Sequence, residues 1–535
     1  MGALVDRLNS RPSEIAELLR VGSAPGLSMG VFHEGRIVYT NHMGRRDINF
    51  PDSPNDDSIY CVASTFKIVT ACAIARLVAD GLLDWNTPIR EYIPLRRQDE
   101  FGLEATLRDL LSNRTGLPMA SSYWGQQNGE QLLPKSEFLN IVDDMETVER
   151  LGTTFIYSQW NYCLLQLIVE KISGKSFGVF VREAIFEPLG LTSATFDQPA
   201  GTNIMMPHAN LSDGMVKNIT TSTFDSSSGL AAGTGGKTSL KDQLTLYIAL
   251  MNAYQHQTTN SLDATPNSPF THLRTIFTPH VPIGGSAIDE QAYCLGLYRT
   301  RLPGNLSCAS LNGALPRKDL PVFGALNLTQ TNEEIFHHTA NFPGFVGSMF
   351  LVPRMHSGVV VMANATPIVD VPDFIAQLLL SDLLSCGPPP NLLSLAQKSA
   401  QMQLGWFEGS RAALRTFKTD LPPTHPLETY AGVYLNRIRN FKIVVKALQK
   451  SLCLSMQGLS TAYEVQPLDG DSFYFDADRD FEIVDRGMWI NPLPQFHVFH
   501  FNVSQKCVHS LTWKHDRLME AEVFAKDNQE QASKL

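Results

Sequence analysis

Apolar and polar residues alternate through GLSMGVFHEG and RIVYTNHMG, within residues 25–48, and the Glu34-Gly35 pair between them predicts a hairpin of two strands. The pattern then changes period. Over 64–80, Ile68, Val69, Ala71, Cys72, Ile74, Ala75 and Val78 recur at helical spacing, with Gly81 as the stop. Residues 106–112, 161–173 and 240–252 read as further helices. GSMFLVPRMHSGVVVMANA, residues 347–365, reads as two strands around a Pro-Arg turn. Strands at both ends of a chain segment, with helices between, predict an α/β sandwich whose antiparallel sheet is closed by the segment's two ends.

Cys386-Gly387-Pro388-Pro389-Pro390 interrupts this pattern, because three prolines cannot continue a helix. A helical stretch follows at 391–417, then a second break at Leu421-Pro422-Pro423. From about 427 the chain turns to short alternating runs: FKIVVKAL, SLCLSM, SFYFDA, FEIVDRG, FHVFHF and HSLTWKH. These predict a small antiparallel β-domain of barrel type. The expected division is a first domain at 1–386, a linker with a helix at 387–424, a β-domain at 425–524 and a tail at 525–535.

A chain of 535 residues exceeds what one core usually carries, in keeping with at least two domains. With 43% hydrophobic and 18% charged residues, it has the composition of a folded protein. The formal net charge of −10 shows no basic face for nucleic acid. No run approaches the about 18 apolar residues of a membrane span, and the N-terminus lacks the apolar core of a secretory signal. Gly2 stands without a second anchor signal, so no lipidation is expected. The eight cysteines show no Cys-x-x-Cys spacing and predict buried thiols in a reducing compartment. His337-His338 has no third ligand suggested nearby, and neither a phosphate-binding Gly-x-x-x-x-Gly-Lys-Ser/Thr loop nor a His-Glu-x-x-His pair occurs. No metal or cofactor is therefore expected. The last three residues, Ser533-Lys534-Leu535, form the peroxisomal address on a polar tail, which implies an import receptor as partner and a eukaryotic source.

One motif carries chemistry. In Cys61-Val62-Ala63-Ser64-Thr65-Phe66-Lys67, a serine and a lysine stand three residues apart at the start of a predicted helix, one turn apart on one face. A serine hydroxyl is a weak nucleophile and needs a base beside it. An amine serves when burial keeps it neutral, and Phe66, Ile68 and Val69 flank Lys67.

Six segments in order then resemble the serine β-lactamase and penicillin-binding-protein family, which includes esterases and acyltransferases. GVFHEGRIVY is similar to its first hairpin, and SIYCVASTFKIVTACAIARLVADGLLDW to its nucleophile segment. TLRDLLSNRTGLP, FIYSQWNYCLLQLIVEKISGKSF with its Tyr-Ser-Gln, and GLAAGTGGKTSLKDQLTLYIALM resemble the later segments, and HHTANFPGF resembles the third motif. The resemblance implies a β-lactamase/transpeptidase-like sandwich with an all-helical subdomain, of class C type, and suggests a fungal source.

The resemblance also implies roles. Ser64 is the expected nucleophile, and Lys67 and Tyr157 the expected proton carriers, with Lys67 and His338 as the cations that would lower the Tyr157 pKa. The backbone N–H groups of Ser64 and Asn341 would form the oxyanion hole. Gln159, His338, Thr339 and Ala340 would line the substrate site. Three departures stand out: Gln159 is one methylene longer than the family's asparagine, for which Asn161 is a possible substitute; His338 replaces a lysine; and Ala340 replaces a glycine. They disfavour carboxylate-bearing substrates and leave ester, thioester and amide chemistry open. The expected function is a hydrolase of a small acyl metabolite. An acyltransferase from thioester to hydroxyl or amine is the alternative, and a non-catalytic binding protein of the same fold is a third reading.

Overall fold

The computed structural model describes residues 2–284, 290–323, 333–387, 391–487, 492–504 and 507–527. The tail residues Ser533, Lys534 and Leu535 lie outside them. The chain divides into two compact units, one of residues 1–116 and 149–402, the other of 117–148 and 403–535. These bounds differ from the expected ones. The segment 117–148 belongs with the C-terminal β-domain, and the helix Leu392–Phe417 crosses from one unit into the other instead of forming a linker.

The first unit is built on an eight-stranded antiparallel sheet. Its strands are β1 (Gly26–His33), β2 (Arg36–Gly44), β3 (Val281–Pro282), β4 (Gln291–Tyr293), β5 (Tyr298–Arg301), β6 (Glu334–Phe342), β7 (Phe345–Val352) and β8 (Ser357–Ala363). They run in the order β2-β1-β8-β7-β6-β5-β4-β3. The first hairpin thus pairs with the last strand, Leu27 facing Ala363, which closes the sheet with the unit's two ends as expected.

β1 is buried almost throughout because helices cover both faces of the sheet. On one face Leu27, Met29 and Val31 pack in a core with Phe374, Ile375 and Leu378 of the helix Val371–Leu384. On the other, the helix Leu240–Asn260 lies so close that a Cβ on Gly30 would fall 2.6 Å from Leu244 Cδ1. The expected helix at 64–80 is a 3₁₀ turn, Ala63–Phe66, continued by the α-helix Lys67–Ala79. It packs against the helix Gln159–Ser173, which in turn packs on Leu107–Leu111. Thr106 and Asp109 cap that last helix reciprocally.

The second unit is a closed barrel. Its strands are β9 (Gly432–Leu435), β10 (Lys442–Ala447), β11 (Leu452–Met456), β12 (Ala462–Asp469), β13 (Ser472–Tyr474), β14 (Val498–Ser504), β15 (Cys507–Trp513) and β16 (Glu522–Lys526). Closure removes the exposed edges that a small sheet would otherwise carry. One expected strand is corrected. FEIVDRG forms helical turns over Arg479–Phe481 and Glu482–Arg486, capped by the Asp478 side chain on the Phe481 N–H. There the Arg486 guanidinium pairs with Glu482 one turn back and covers the Tyr463 ring, a pairing that suits i,i+4 helical spacing. Gln127, from the 117–148 segment, is fully buried in this unit and donates to Tyr463 Oη at 3.2 Å.

Candidate active site

The short strand Ile59–Cys61 pairs with Lys237–Ser239 and delivers the chain to a sharp turn. The Val62 and Ala63 N–H groups both reach Gly236 O, at 2.8 and 3.2 Å. Ala63 is thereby held in the left-handed region, φ 39°, a conformation that costs an alanine about 1–3 kcal/mol. Gly236 is required here, since a Cβ on it would lie 2.7 Å from Phe66 Cβ. The strained turn places Ser64 at the start of the helix, where backbone N–H groups have no acceptor within the helix. Ser64 remains 7% exposed, while Lys67 one turn on is fully buried.

Three side chains converge on the Ser64 oxygen. Lys67 Nζ lies 3.1 Å from Ser64 Oγ and 3.0 Å from Gln159 Oε1, and also meets Gly233 O. Tyr157 Oη donates to Ser64 Oγ at 2.9 Å. Burial drives the Lys67 pKa well below its ordinary 10.5. A neutral amine has two N–H groups and one lone pair. In that form Gln159 Oε1 and Gly233 O, which can only accept, would take the two N–H groups and leave the lone pair to the Ser64 hydroxyl. The Ser64 hydroxyl also reaches Gly233 O, at 3.4 Å; with the amine neutral it would turn to Lys67 Nζ, and Tyr157 O–H to Ser64 Oγ and Ser64 O–H to Lys67 Nζ would form one directed chain. The Lys67 Nζ also stands over the rings of Tyr162, 4.5 Å away, and Tyr157, 5.0 Å away. Those π faces stabilise the ammonium once a proton arrives.

The expectation that cations would ionise Tyr157 is corrected. Burial raises its pKa above 10, so the phenol keeps its proton. His338 is no cation either, because burial holds its pKa well below 6.5. Its Nδ1 sits 2.9 Å from Thr339 O and therefore carries the proton, which leaves Nε2 to accept from Tyr293 Oη at 3.3 Å.

The structure brings Gln159 into the site and keeps Asn161 out of it. Asn161 is fully buried, accepting from Thr115 Oγ1 at 2.8 Å and donating to Asn113 Oδ1 at 2.9 Å. The longer Gln159 reaches Lys67 because Gly233 opposite it has no side chain; a Cβ there would fall 2.4 Å from Gln159 Oε1. Thr339 Oγ1 donates to Ala309 O at 2.6 Å. Ala340 faces Gly347 across the β6–β7 ladder with its methyl buried, and so adds no bulk to the open edge. Asn341, half-buried, follows on the same strand, which packs beside the Ser64 turn.

Several participants escape sequence reading. Gly233 and Ala309 contribute carbonyl oxygens, which no side-chain pattern reports. Tyr293 and Tyr162 belong to no motif and read as core aromatics. A Gly-x-Ser-x-Gly run, Gly26-Leu27-Ser28-Met29-Gly30, is present as well. Ser28 contacts His42 Nδ1 at 2.8 Å, and His42 Nε2 contacts Asp56 at 2.9 Å, the order of a catalytic triad. Ser28, however, is fully buried mid-strand and also bonded to Tyr60 Oη, so no substrate reaches it. Among the described residues, no group of three His, Cys, Asp or Glu side chains is placed to hold a metal, and no helix is long and apolar enough to cross a membrane.

A family model described as Beta-lactamase matches residues 13–380. The unguisins hydrolase ungD of Aspergillus violaceofuscus is 22% identical over 79% of this chain and 73% of its own. A putative D-alanyl-D-alanine carboxypeptidase of Escherichia coli is 28% identical over 42% of this chain and 56% of its own. Among solved structures, the octameric penicillin-binding protein homologue from Pyrococcus abyssi superposes with a TM-score of 0.58 at 18% identity. It covers 97% of this chain and 99% of its own, both units included. The class C beta lactamase from Rhodobacter sphaeroides superposes with a TM-score of 0.50 at 20% identity, over 76% of this chain and 99% of its own.

Proposed function

The chain belongs to the beta-lactamase family, and on that premise we propose that it is a serine hydrolase that cleaves a small ester, thioester or amide through an acyl-enzyme on Ser64. The observation that carries the reading is the convergence of Lys67 Nζ and Tyr157 Oη on Ser64 Oγ. Ser64 Oγ attacks the acyl carbonyl while its proton passes to the Lys67 lone pair. The oxyanion gathers against the N–H groups of Ser64 and Asn341. Each such donor is worth about 10²–10³ in rate. Tyr157 gives its proton to the leaving alcohol, thiol or amine as the carbonyl bond to it breaks, and the proton held by Lys67 replaces it. Water then attacks the acyl-serine, giving a proton to the same pair of groups, and the acid leaves with Ser64 restored. Gln159 and Gly233 hold the Lys67 amine in line.

One relative is named as a hydrolase and another as a putative carboxypeptidase, which supports hydrolysis as the outcome. Transfer to a metabolite hydroxyl or amine is the second reading. It is favoured by the Ser533-Lys534-Leu535 terminus, which we read as a peroxisomal address that would place the enzyme beside acyl thioesters. The test combines labelling by a fluorophosphonate probe with product analysis. Hydrolysis predicts a stable probe adduct on Ser64 and release of free acid from esters, with or without added alcohols and amines. An acylated acceptor as the main product would turn the reading to transfer, and absence of any adduct would overturn both.

A further inference from the structure

Two side chains beside the reacting atoms on β6 have no donor left for a ligand. His338 donates Nδ1–H to Thr339 O and accepts from Tyr293 at Nε2. Thr339 donates its hydroxyl to Ala309 O. The Lys67 amine is likewise taken up by Ser64, Gln159 and Gly233.

The carbonyl that occupies Thr339 belongs to a loop that is pinned from behind. Ser310 Oγ donates to Asp370 Oδ2 at 2.7 Å, and Ser307 Oγ donates to Asp373 Oδ2 at 2.7 Å while accepting from Gln377 Nε2 at 2.8 Å. Asn312 Nδ2 adds bonds to Asp370 O at 2.7 Å and Asp373 Oδ2 at 3.0 Å. Asp370 and Asp373 are buried at the first turn of the helix Val371–Leu384, so the loop is anchored to the sheet's covering helix. Held this way, Cys308 and Ala309 pack with Phe155 and Ile283 on the cluster of Tyr293 and Tyr298 that also receives Tyr157. The Tyr298 ring centroid lies 5.1 Å from that of His338.

A carboxylate brought against His338 and Thr339 would lose its water and find no unengaged donor on either side chain. An uncharged aromatic or aliphatic group would lose nothing. Resting on the serine-hydrolase reading above, we propose that this side of the site is closed to anions and selects an uncharged, apolar substituent, and that Ser307 and Ser310 are positioning residues that keep it closed. They act by holding Ala309 O on the Thr339 hydroxyl.

The test uses two esters that differ only in a terminal carboxylate, para-nitrophenyl valerate and the para-nitrophenyl monoester of glutaric acid. The wild-type enzyme should favour the valerate by about 100-fold or more in kcat/KM, the scale set when a buried charge goes unpaired. The Ser307→Ala, Ser310→Ala double variant should raise kcat/KM for the glutarate ester about tenfold, through KM, as the freed Thr339 hydroxyl becomes available. Its rate on the valerate should stay within about threefold. A general loosening of the fold would lower both rates and would not move their ratio. If the double variant does not fold, Ser310→Ala alone gives the same readout with a smaller shift. Equal use of both esters by the wild type, or an unchanged ratio in the folded variant, overturns the inference and leaves the hydrolase reading intact. Failure to hydrolyse either ester, with Ser64 inert to fluorophosphonate, overturns the hydrolase reading and this inference with it.

Discussion

Lys67 Nζ stands 3.1 Å from Ser64 Oγ with its side chain fully buried, so the amine meets the serine oxygen out of water. Burial is the first cause of its lowered pKa, and the aromatic rings of Tyr157 and Tyr162 wait on the ammonium. On the proposed mechanism, this pairing suits Lys67 to take the Ser64 proton and then to hold it. The consequences are measurable.

Replacing Ser64→Ala removes one oxygen and should leave the melting temperature within a few degrees of wild type. Hydrolysis and fluorophosphonate labelling should both vanish. Labelling that persists on the folded variant would place the nucleophile elsewhere.

Lys67→Ala and Tyr157→Phe should each lower kcat/KM by about 10²–10⁴. Their combined loss should fall well short of the product of the two, because both act on one oxygen. The pH profile separates them. The Lys67 pKa lies well below 10.5, so the rate should rise with pH as the amine loses its proton and reach its plateau well before 10.5. Tyr157→Phe should keep that limb, and Lys67→Ala should erase it. A limb that survives in Lys67→Ala belongs to another group.

Gly233→Ala should push Gln159 off Lys67, since the new Cβ would meet Gln159 Oε1 at 2.4 Å. The neighbour is the far end of a flexible side chain, so the fold should tolerate the change while the rate drops about tenfold or more. Adding Gln159→Asn, one methylene shorter, should recover part of the loss. Steady-state kinetics of the single and double variants decide the matter; no recovery would mean that Gly233 matters only for its backbone.

The Asp370–Asp373 pair predicts a pH dependence of stability. Burial, and the charge of Asp373, raise the Asp370 pKa above its ordinary 3.8, and burial raises that of Asp373. The folded state therefore holds protons that the unfolded chain releases. The stability they contribute is fully present below 3.8 and lost as pH rises through the raised folded values. Thermal unfolding should occur at lower temperature at about pH 9 than at about pH 5, by about 2–4 °C for each kcal/mol lost. Asp370→Asn should flatten this slope while keeping the helix cap. A slope unchanged by the substitution would assign it to other groups.

A fluorescent protein fused ahead of residue 1 should collect in peroxisomes, and deleting Leu535 should return it to the cytosol. Imaging of the two forms side by side checks this; identical distributions would make the tail incidental.

Much of the site was legible because its chemistry is local. Ser64 and Lys67 sit three residues apart on one helical turn, and Tyr157 lies in the fourth of six ordered segments. The hairpin at 25–48 and the paired strands at 347–365 were legible because alternation reports a half-buried strand directly. FEIVDRG was misread because a seven-residue run of mixed apolar and charged residues satisfies both periods, and Asp478 capping with i,i+4 pairing of Glu482 and Arg486 favours the helix. The extent of the second unit was hidden for a different reason: 117–148 joins 403–535 through contacts hundreds of residues apart.

By itself, then, the sequence picked out Ser64, Lys67 and Tyr157 as candidates, through a family resemblance, and the order of the elements that carry them, because helical and strand periods place near neighbours without further information. Only the tertiary structure decided how deeply Lys67 and Tyr157 are buried and which amide meets Lys67. It also decided that Thr339 and His338 are already engaged, by Ala309 O and Tyr293. Those outcomes depend on burial and on backbone carbonyls brought from distant loops, and neither leaves a mark in the pattern of side chains along the chain.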